Sequence, residues 1–246
     1  GSTKKMCQRV CPSMCFIKPM IDEENGILVL RFEGKEEVGE LRLPLAGSGK
    51  DSVAKLKVDI WDNIVEGEDC GDEAAAWMSA VLEKDVRIIV AAEDLDRQVG
   101  EPAFIEGKED DLHNAVWFAD GFPYLLASEE DMDWLNKETG EQQDILRFRP
   151  NIVVKGTTGP NDLDTWACVQ VSGDSKLGEV ADVQLDLVKP CTRCSMPSVD
   201  PATGKRTSEP RKTLETKRMG KVLGSWQKCF GQNAMEVKID KKSDKP

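Results

Sequence analysis

Cys191 and Cys194 form a Cys-x-x-Cys pair around Thr192 and Arg193, in a chain of 246 residues with eight cysteines. Such a pair supports three chemistries: half of a zinc site, a redox dithiol, or one functional thiolate with a neighbour. Zinc would need a second pair of ligands, and apart from a series at Cys7, Cys11 and Cys15 the other cysteines fall singly. A thioredoxin-like dithiol needs a strand followed directly by a helix that opens at the motif. Here Ser195, Met196 and Pro197 follow, and then a turn over residues 200–204. Arg193 brings positive charge, which favours thiolate, and a soft thiolate is a suitable ligand for a high-valent, sulfur-bound metal. Spacing alone leaves the three readings open.

The second cluster is Arg147, Phe148, Arg149, Pro150 and Asn151. Two arginines separated by one residue in an extended segment project to one side and could grip an anion together. Asn151, both donor and acceptor, could read the edge of an amide-like heterocycle. The plainer reading is that these arginines pair with the abundant acidic residues. Cys7, Cys11 and Cys15 could share a metal if they lay on one helix face, but Pro12 would disrupt such a helix, so they read as ordinary thiols. Gly47, Ser48, Gly49 and Lys50 have part of a phosphate-loop pattern. Pro44 stands where the pattern needs glycine and Asp51 where it needs Ser or Thr, so the segment reads as a turn. His113 is the only histidine. It reads as a surface residue, and a His-rich zinc or iron site is excluded.

The net charge of −12 repels phosphate backbones and argues against nucleic acid as the main partner. Basic residues concentrate over 205–221, as a solvated face or a small anion-facing patch. No run approaches the roughly 18 apolar residues of a membrane span. Gly1-Ser2 reads as a cloning scar, so an upstream anchor would not be visible in this chain. The cysteine usage suits a reducing compartment with mostly free thiols.

The elements that must position these residues are mostly β. Ile27–Phe32 follows an Asn-Gly turn signal and reads as a strand, and Leu56, Val58 and Ile60 alternate with polar residues. Residues 87–91, 151–155, 166–171 and 183–188 are further strands. One helix starts with Asp72 as N-cap and carries Ala75, Met78 and Leu82 at helical spacing. A second has Ser128 as N-cap with Asp131 in an acidic variant of the capping box, and ends near Gly140. A third runs over about residues 212–219. A charged stretch over 93–111 separates two halves, and the lysine-rich end from Lys238 is expected to fray.

Five pieces then fall in one order: FADGFPYLLAS over 118–128, RFRPNIVV over 147–154, DTW over 164–166, CTRCSMPSVDPATG over 191–204, and FGQN over 230–233. The succession resembles the MOSC family, which comprises the C-terminal domain of molybdenum-cofactor sulfurases and the mitochondrial amidoxime-reducing components with their bacterial relatives. EDCGD over 68–72, leading into a helix, resembles the latter part of the β-barrel domain that precedes MOSC. The resemblance implies a β-rich α+β fold. A MOSC-type β-barrel with few helices over 112–237 would follow a partial N-terminal β-barrel domain over 1–95. Residues 96–111 would connect the two, and 238–246 would be a tail.

By the same resemblance, Cys194 would ligate molybdenum as the catalytic thiolate, with Cys191 as a structural or redox neighbour. Arg147, Arg149, Asn151 and Thr192 would contact the molybdenum cofactor (molybdopterin), as would the loop of Asp120 and Gly121. Gly121 and Phe122 replace hydroxyl residues of some members, so backbone contacts are expected there. Family members carry further strands with a Lys-Ser element and an arginine, and a Gly-rich closing strand. Neither is matched, which implies a chain that starts partway through the barrel with an edge able to pair with another chain. The implied function is a molybdenum-cofactor oxidoreductase that removes oxygen from N-hydroxylated substrates, with a cytochrome b5-type electron donor. The alternative is a non-catalytic cofactor-binding module like the C-terminal domain of a sulfurase; no pyridoxal-phosphate domain is present in this chain, which excludes a whole sulfurase but not a fragment of one. A third reading is a MOSC scaffold, degenerate or holding zinc at Cys191 and Cys194.

Overall fold

A computed structural model describes residues 3–45, 54–92, 95, 97–99, 115–172, 183–222 and 224–237. Residues 47–50, His113, most of 96–111 and the tail from Lys238 lie outside this set. The chain divides into two compact units: residues 1–97 with 199–206, and residues 98–198 with 207–246.

The first unit holds two sheets. β1 (Thr3–Lys4), β5 (Lys55–Ile60), β6 (Asn63–Asp69) and β7 (Ile89–Ala91) form one, in the order β1-β5-β6-β7. β2 (Ile17–Asp22), β3 (Ile27–Phe32) and β4 (Leu41–Pro44) form the other. The β3 reading from the Asn-Gly signal holds residue for residue. In β5 the alternation is real, with Val58 and Ile60 buried. Helix α1 (Asp72–Leu82) has Gly71 as N-cap, at φ 92, with no side-chain capping bond. Asp72 is therefore the first helical residue, where its charge faces the positive helix end. It also pairs with Arg87 at 2.8 Å. Ala74, Trp77, Val81 and Leu82 pack with Leu30, Phe32 and Leu41, and Trp77 Nε1 donates to the carbonyl of Gly39 at 3.1 Å.

The second unit is built on a six-stranded sheet. Its path is β10 (Cys168–Val171), β11 (Val183–Thr192), β13 (Ser225–Glu236), β8 (Tyr124–Ser128) and β9 (Ile152–Val154), with β12 (Met219–Val222) paired to β13. Helix α2 (Glu129–Thr139) starts where expected. Ser128 Oγ accepts from the amide of Asp131, and Gly140 closes the helix in the left-handed region at φ 70. The carboxylate of Asp131 accepts from the amide of Asn161 at 2.7 Å, so the box is not reciprocal. The third helix, α3, spans Arg211–Lys217. Met132, Leu135, Phe148, Leu214 and Phe230 make one core, and Leu126, Leu163, Leu185 and Ala234 another. Three α-helices against thirteen strands among the described residues make the chain β-rich α+β. No described helix is long and apolar enough to cross a membrane.

Candidate functional site

β11 ends between the two cysteines: Cys191 lies in the strand, and Cys194 lies two residues past its last residue, Thr192. The strand shifts register against β13 between Pro190 and Thr192, where proline's missing N–H is tolerated at a bulge. Thr192, half-buried, lies opposite Cys229. The amide of Arg193 continues the pairing by donating to the carbonyl of Lys228 at 2.9 Å. The chain then leaves the sheet, and Cys194 is exposed. Its sulfur accepts from the amide of Met196 at 3.3 Å, at the start of the buried 3-10 turn Met196–Ser198.

Arg193 directs its charge to Cys191, not to Cys194: Nη1 lies 3.0 Å from Cys191 Sγ. Nη2 donates to the carbonyl of Phe148 at 2.8 Å, and the guanidinium lies 5.4 Å from the centre of the Phe148 ring. Cys191 is half-buried and Cys229 fully buried. Burial pushes the Cys229 thiol up, as it does the thiols of Cys15 and Cys70. At Cys7 burial also pushes upward, but the hydrogen bonds and charge of Arg9, with the Val10 amide, outweigh it and lower the thiol.

The expectation of an extended arginine pair is corrected. Arg147 ends the 3-10 turn Ile145–Arg147 and is buried, 6% exposed. Its Nη1 donates to the carbonyl of Pro197 at 3.0 Å and to Thr207 Oγ1 at 3.3 Å. Arg149 is exposed, with φ at 58. A non-glycine residue in the left-handed region is uncommon, and the residue before a proline normally stays extended. The two arginines thus differ in environment, Arg147 buried and Arg149 exposed. Among the described residues, the Arg149 side chain makes no hydrogen bond and no ion pair.

Asn151 ties β9 to β8: its Oδ1 accepts from the amide of Leu125 at 2.9 Å, and its own amide donates to the carbonyl of Leu125 at 3.0 Å. That leaves Nδ2 as the group it can offer a ligand. Asp120 and Gly121 form an exposed bend before β8. The neighbouring Phe122 ring lies 4.9 Å from Lys189 Nζ on β11. A Cβ on Gly121 would meet open space, so the fold does not demand glycine there.

The structure thus joins the 147–149 and 191–197 segments directly and gives Thr192 and Asn151 defined places on the sheet. Two contributors are not evident from residue type. Phe148 and Phe230 stack with centroids 3.8 Å apart. Asp164 Oδ1 accepts both from Arg218 Nη2, at 2.7 Å, and from Gln232 Nε2. The shared aromatic of RFRPN and FGQN was the available signal for the first. Among the described residues, no group of three or more His, Cys, Asp or Glu is placed to hold a metal ion.

Comparison with known proteins gives the same family twice. The MOSC domain model matches residues 113–241, and the MOSC N-terminal beta barrel domain model matches residues 2–85. Mitochondrial amidoxime-reducing component 1 of Danio rerio is 33% identical over 189 residues, covering 74% of this chain and 52% of its own length. Mitochondrial amidoxime reducing component 2 of Bos taurus is 30% identical, covering 81% of this chain and 54% of its own length. A molybdenum cofactor sulfurase of Anopheles gambiae is 31% identical, covering 88% of this chain and 27% of its own length. The chain spans about half the length of the amidoxime-reducing relatives and about a quarter of the sulfurase. With both domain models matched in order, the chain belongs to the MOSC family.

Proposed function

We propose that this chain binds the molybdenum cofactor through Cys194 and acts as an oxidoreductase on N-hydroxylated substrates, like its amidoxime-reducing relatives. One observation carries the reading: an exposed thiol and a guanidinium with no partner among the described residues stand on two segments bonded to each other. Arg149 is held at φ 58, a backbone state that costs on the order of 1–3 kcal/mol and clusters at functional sites.

The donor set fits the group. A soft thiolate suits a sulfur-bound metal. A planar guanidinium suits a phosphate oxygen pair. The Nδ2 of Asn151, held in place through its Oδ1, suits a carbonyl on a heterocycle. In this reading Cys194 holds the metal, Arg149 neutralises the phosphate, and Thr192 offers a hydroxyl beside the ligand. The bend at Asp120 and Gly121 offers backbone groups. Arg147 is engaged with Pro197 and Thr207 and acts from behind. When bound, the cofactor supplies two-electron oxygen-atom transfer at the metal.

Electron supply by a cytochrome b5-type donor belongs to the same proposal. The test is reconstitution of cofactor-loaded protein with cytochrome b5, its NADH-dependent reductase and benzamidoxime. Oxidation of NADH matched by benzamidine formation supports the reading. Protein that carries the cofactor yet reduces no amidoxime fits a cofactor-binding module like the sulfurase C-terminal domain instead. Protein that takes up neither molybdenum nor pterin overturns both.

A further inference from the structure

Arg147 and Arg193 bridge the same two segments in opposite directions. Arg147, from the 147–149 segment, donates to the carbonyl of Pro197 at 3.0 Å. Arg193, from the 191–197 segment, donates to the carbonyl of Phe148 at 2.8 Å. Each segment thus places a charged donor on a backbone carbonyl of the other. The acceptors matter for what they adjoin. Phe148 directly precedes Arg149, whose φ is 58. Pro197 directly follows Met196, whose amide bonds to the Cys194 sulfur.

Both ends of this arrangement are anchored. Arg147 is buried and also holds Thr207 Oγ1. Arg193 also reaches Cys191 Sγ, and its guanidinium lies over the Phe148 ring, which stacks on Phe230. A guanidinium can serve two acceptors in one plane while lying against an aromatic face, and an ammonium cannot.

We propose that Arg147 and Arg193 are positioning residues. They form a reciprocal clasp that sets the Cys194 sulfur relative to the Arg149 guanidinium, so that a thiolate-bound ligand bearing a phosphate is held at both ends at once. Two attachment points cooperate only when their separation matches the ligand. Loosening the clasp therefore weakens retention although Cys194 and Arg149 themselves remain. The inference rests on the molybdenum-cofactor reading for the ligand's identity, while the clasp is a property of the polypeptide.

The test uses the full chain and the variants Arg147→Met, Arg193→Met and Arg193→Lys, with two readouts. The first, on cofactor-free protein, is amide hydrogen exchange. Arg147→Met should speed exchange at Met196, and Arg193→Met at Arg149, with β11 and β13 unchanged. The second is retention of molybdenum and pterin. Each Met variant should lose about 10- to 100-fold in retention, and Arg193→Lys should recover part of it. Exchange that accelerates equally through β11 and β13 would mean a purely structural role and overturn the proposal. So would faster exchange at the named amides with undiminished retention, or no change in either readout. Wild-type protein that never takes up cofactor would sink the functional reading, while the exchange measurement would still decide whether the clasp exists. Arg193 is only half-buried, so its variants keep the test open if Arg147→Met fails to fold.

Discussion

The rings of Phe148 and Phe230 stack with centroids 3.8 Å apart and planes inclined by 20°. Each is 1% exposed, and each belongs to a different short motif of the chain. The contact is the hydrophobic seat on which the 147–149 segment rests, so the site depends on β13 although no β13 side chain needs to touch a ligand. Phe230→Ala is expected to cost about 3–5 kcal/mol by opening a cavity beneath Phe148. Phe230→Leu should cost less. Urea unfolding midpoints measure both.

Gly231, at φ 74, packs against β8 so closely that a Cβ would collide with the carbonyl of Leu126. It sits on β13 between the residues paired with β12 and those paired with β8. Gly231→Ala combines an unfavourable backbone state, on the order of 1–3 kcal/mol, with a clash against backbone that cannot yield cheaply. The expected result is a loss of stability larger than that of Gly121→Ala, where a Cβ meets open space. Thermal unfolding of the two variants side by side gives the comparison.

Ser128 caps α2 through its bond to the amide of Asp131 at 3.0 Å. Ser128→Ala should cost about 1 kcal/mol, and Ser128→Asp should keep most of the stability. Denaturant titration of the two variants distinguishes a capping role from simple burial at the end of β8.

Asp69 gives the first unit an acid-side dependence. Hydrogen bonds from Arg87 hold its carboxyl below the usual range against the upward push of burial, and the Gly71 amide and the charge of Arg87 add to the lowering. A depressed folded-state value means that this stabilisation is fully present above the unfolded value, about pH 4. It is lost as pH falls through the folded-state value. Arg87 stays charged throughout. The gap in urea midpoint between wild type and Asp69→Asn should therefore be full at pH 6 and shrink toward pH 3. A gap that stays constant across that range would show that the charge contributes nothing.

Local signals were legible where local physics decides the structure. The Asn-Gly signal placed β3, and Ser128 with Gly140 placed both ends of α2. β13 was missed because it is paired along both edges and largely buried, so no alternation marks it. Gln232 sits in that strand buried and bonded to Asp164, which hides it further. The order of motifs identified the family, and the MOSC domain model matches residues 113–241. Geometry within the site was less accessible. An arginine before a proline reads as extended, so the left-handed Arg149 could not be foreseen, nor the burial of Arg147 at the end of its 3-10 turn. The direction of Arg193 toward Cys191 and Phe148 depends on a bulged strand end that spacing does not encode.

Ligation of molybdenum by Cys194 is the proposal on which the function rests. Its most direct test is metal and pterin analysis of wild type, Cys194→Ser and Cys191→Ser, each made in a host that synthesises the cofactor. Molybdenum is expected with wild type, a large loss with Cys194→Ser, and substantial retention with Cys191→Ser. Equal molybdenum in wild type and Cys194→Ser would contradict the proposal.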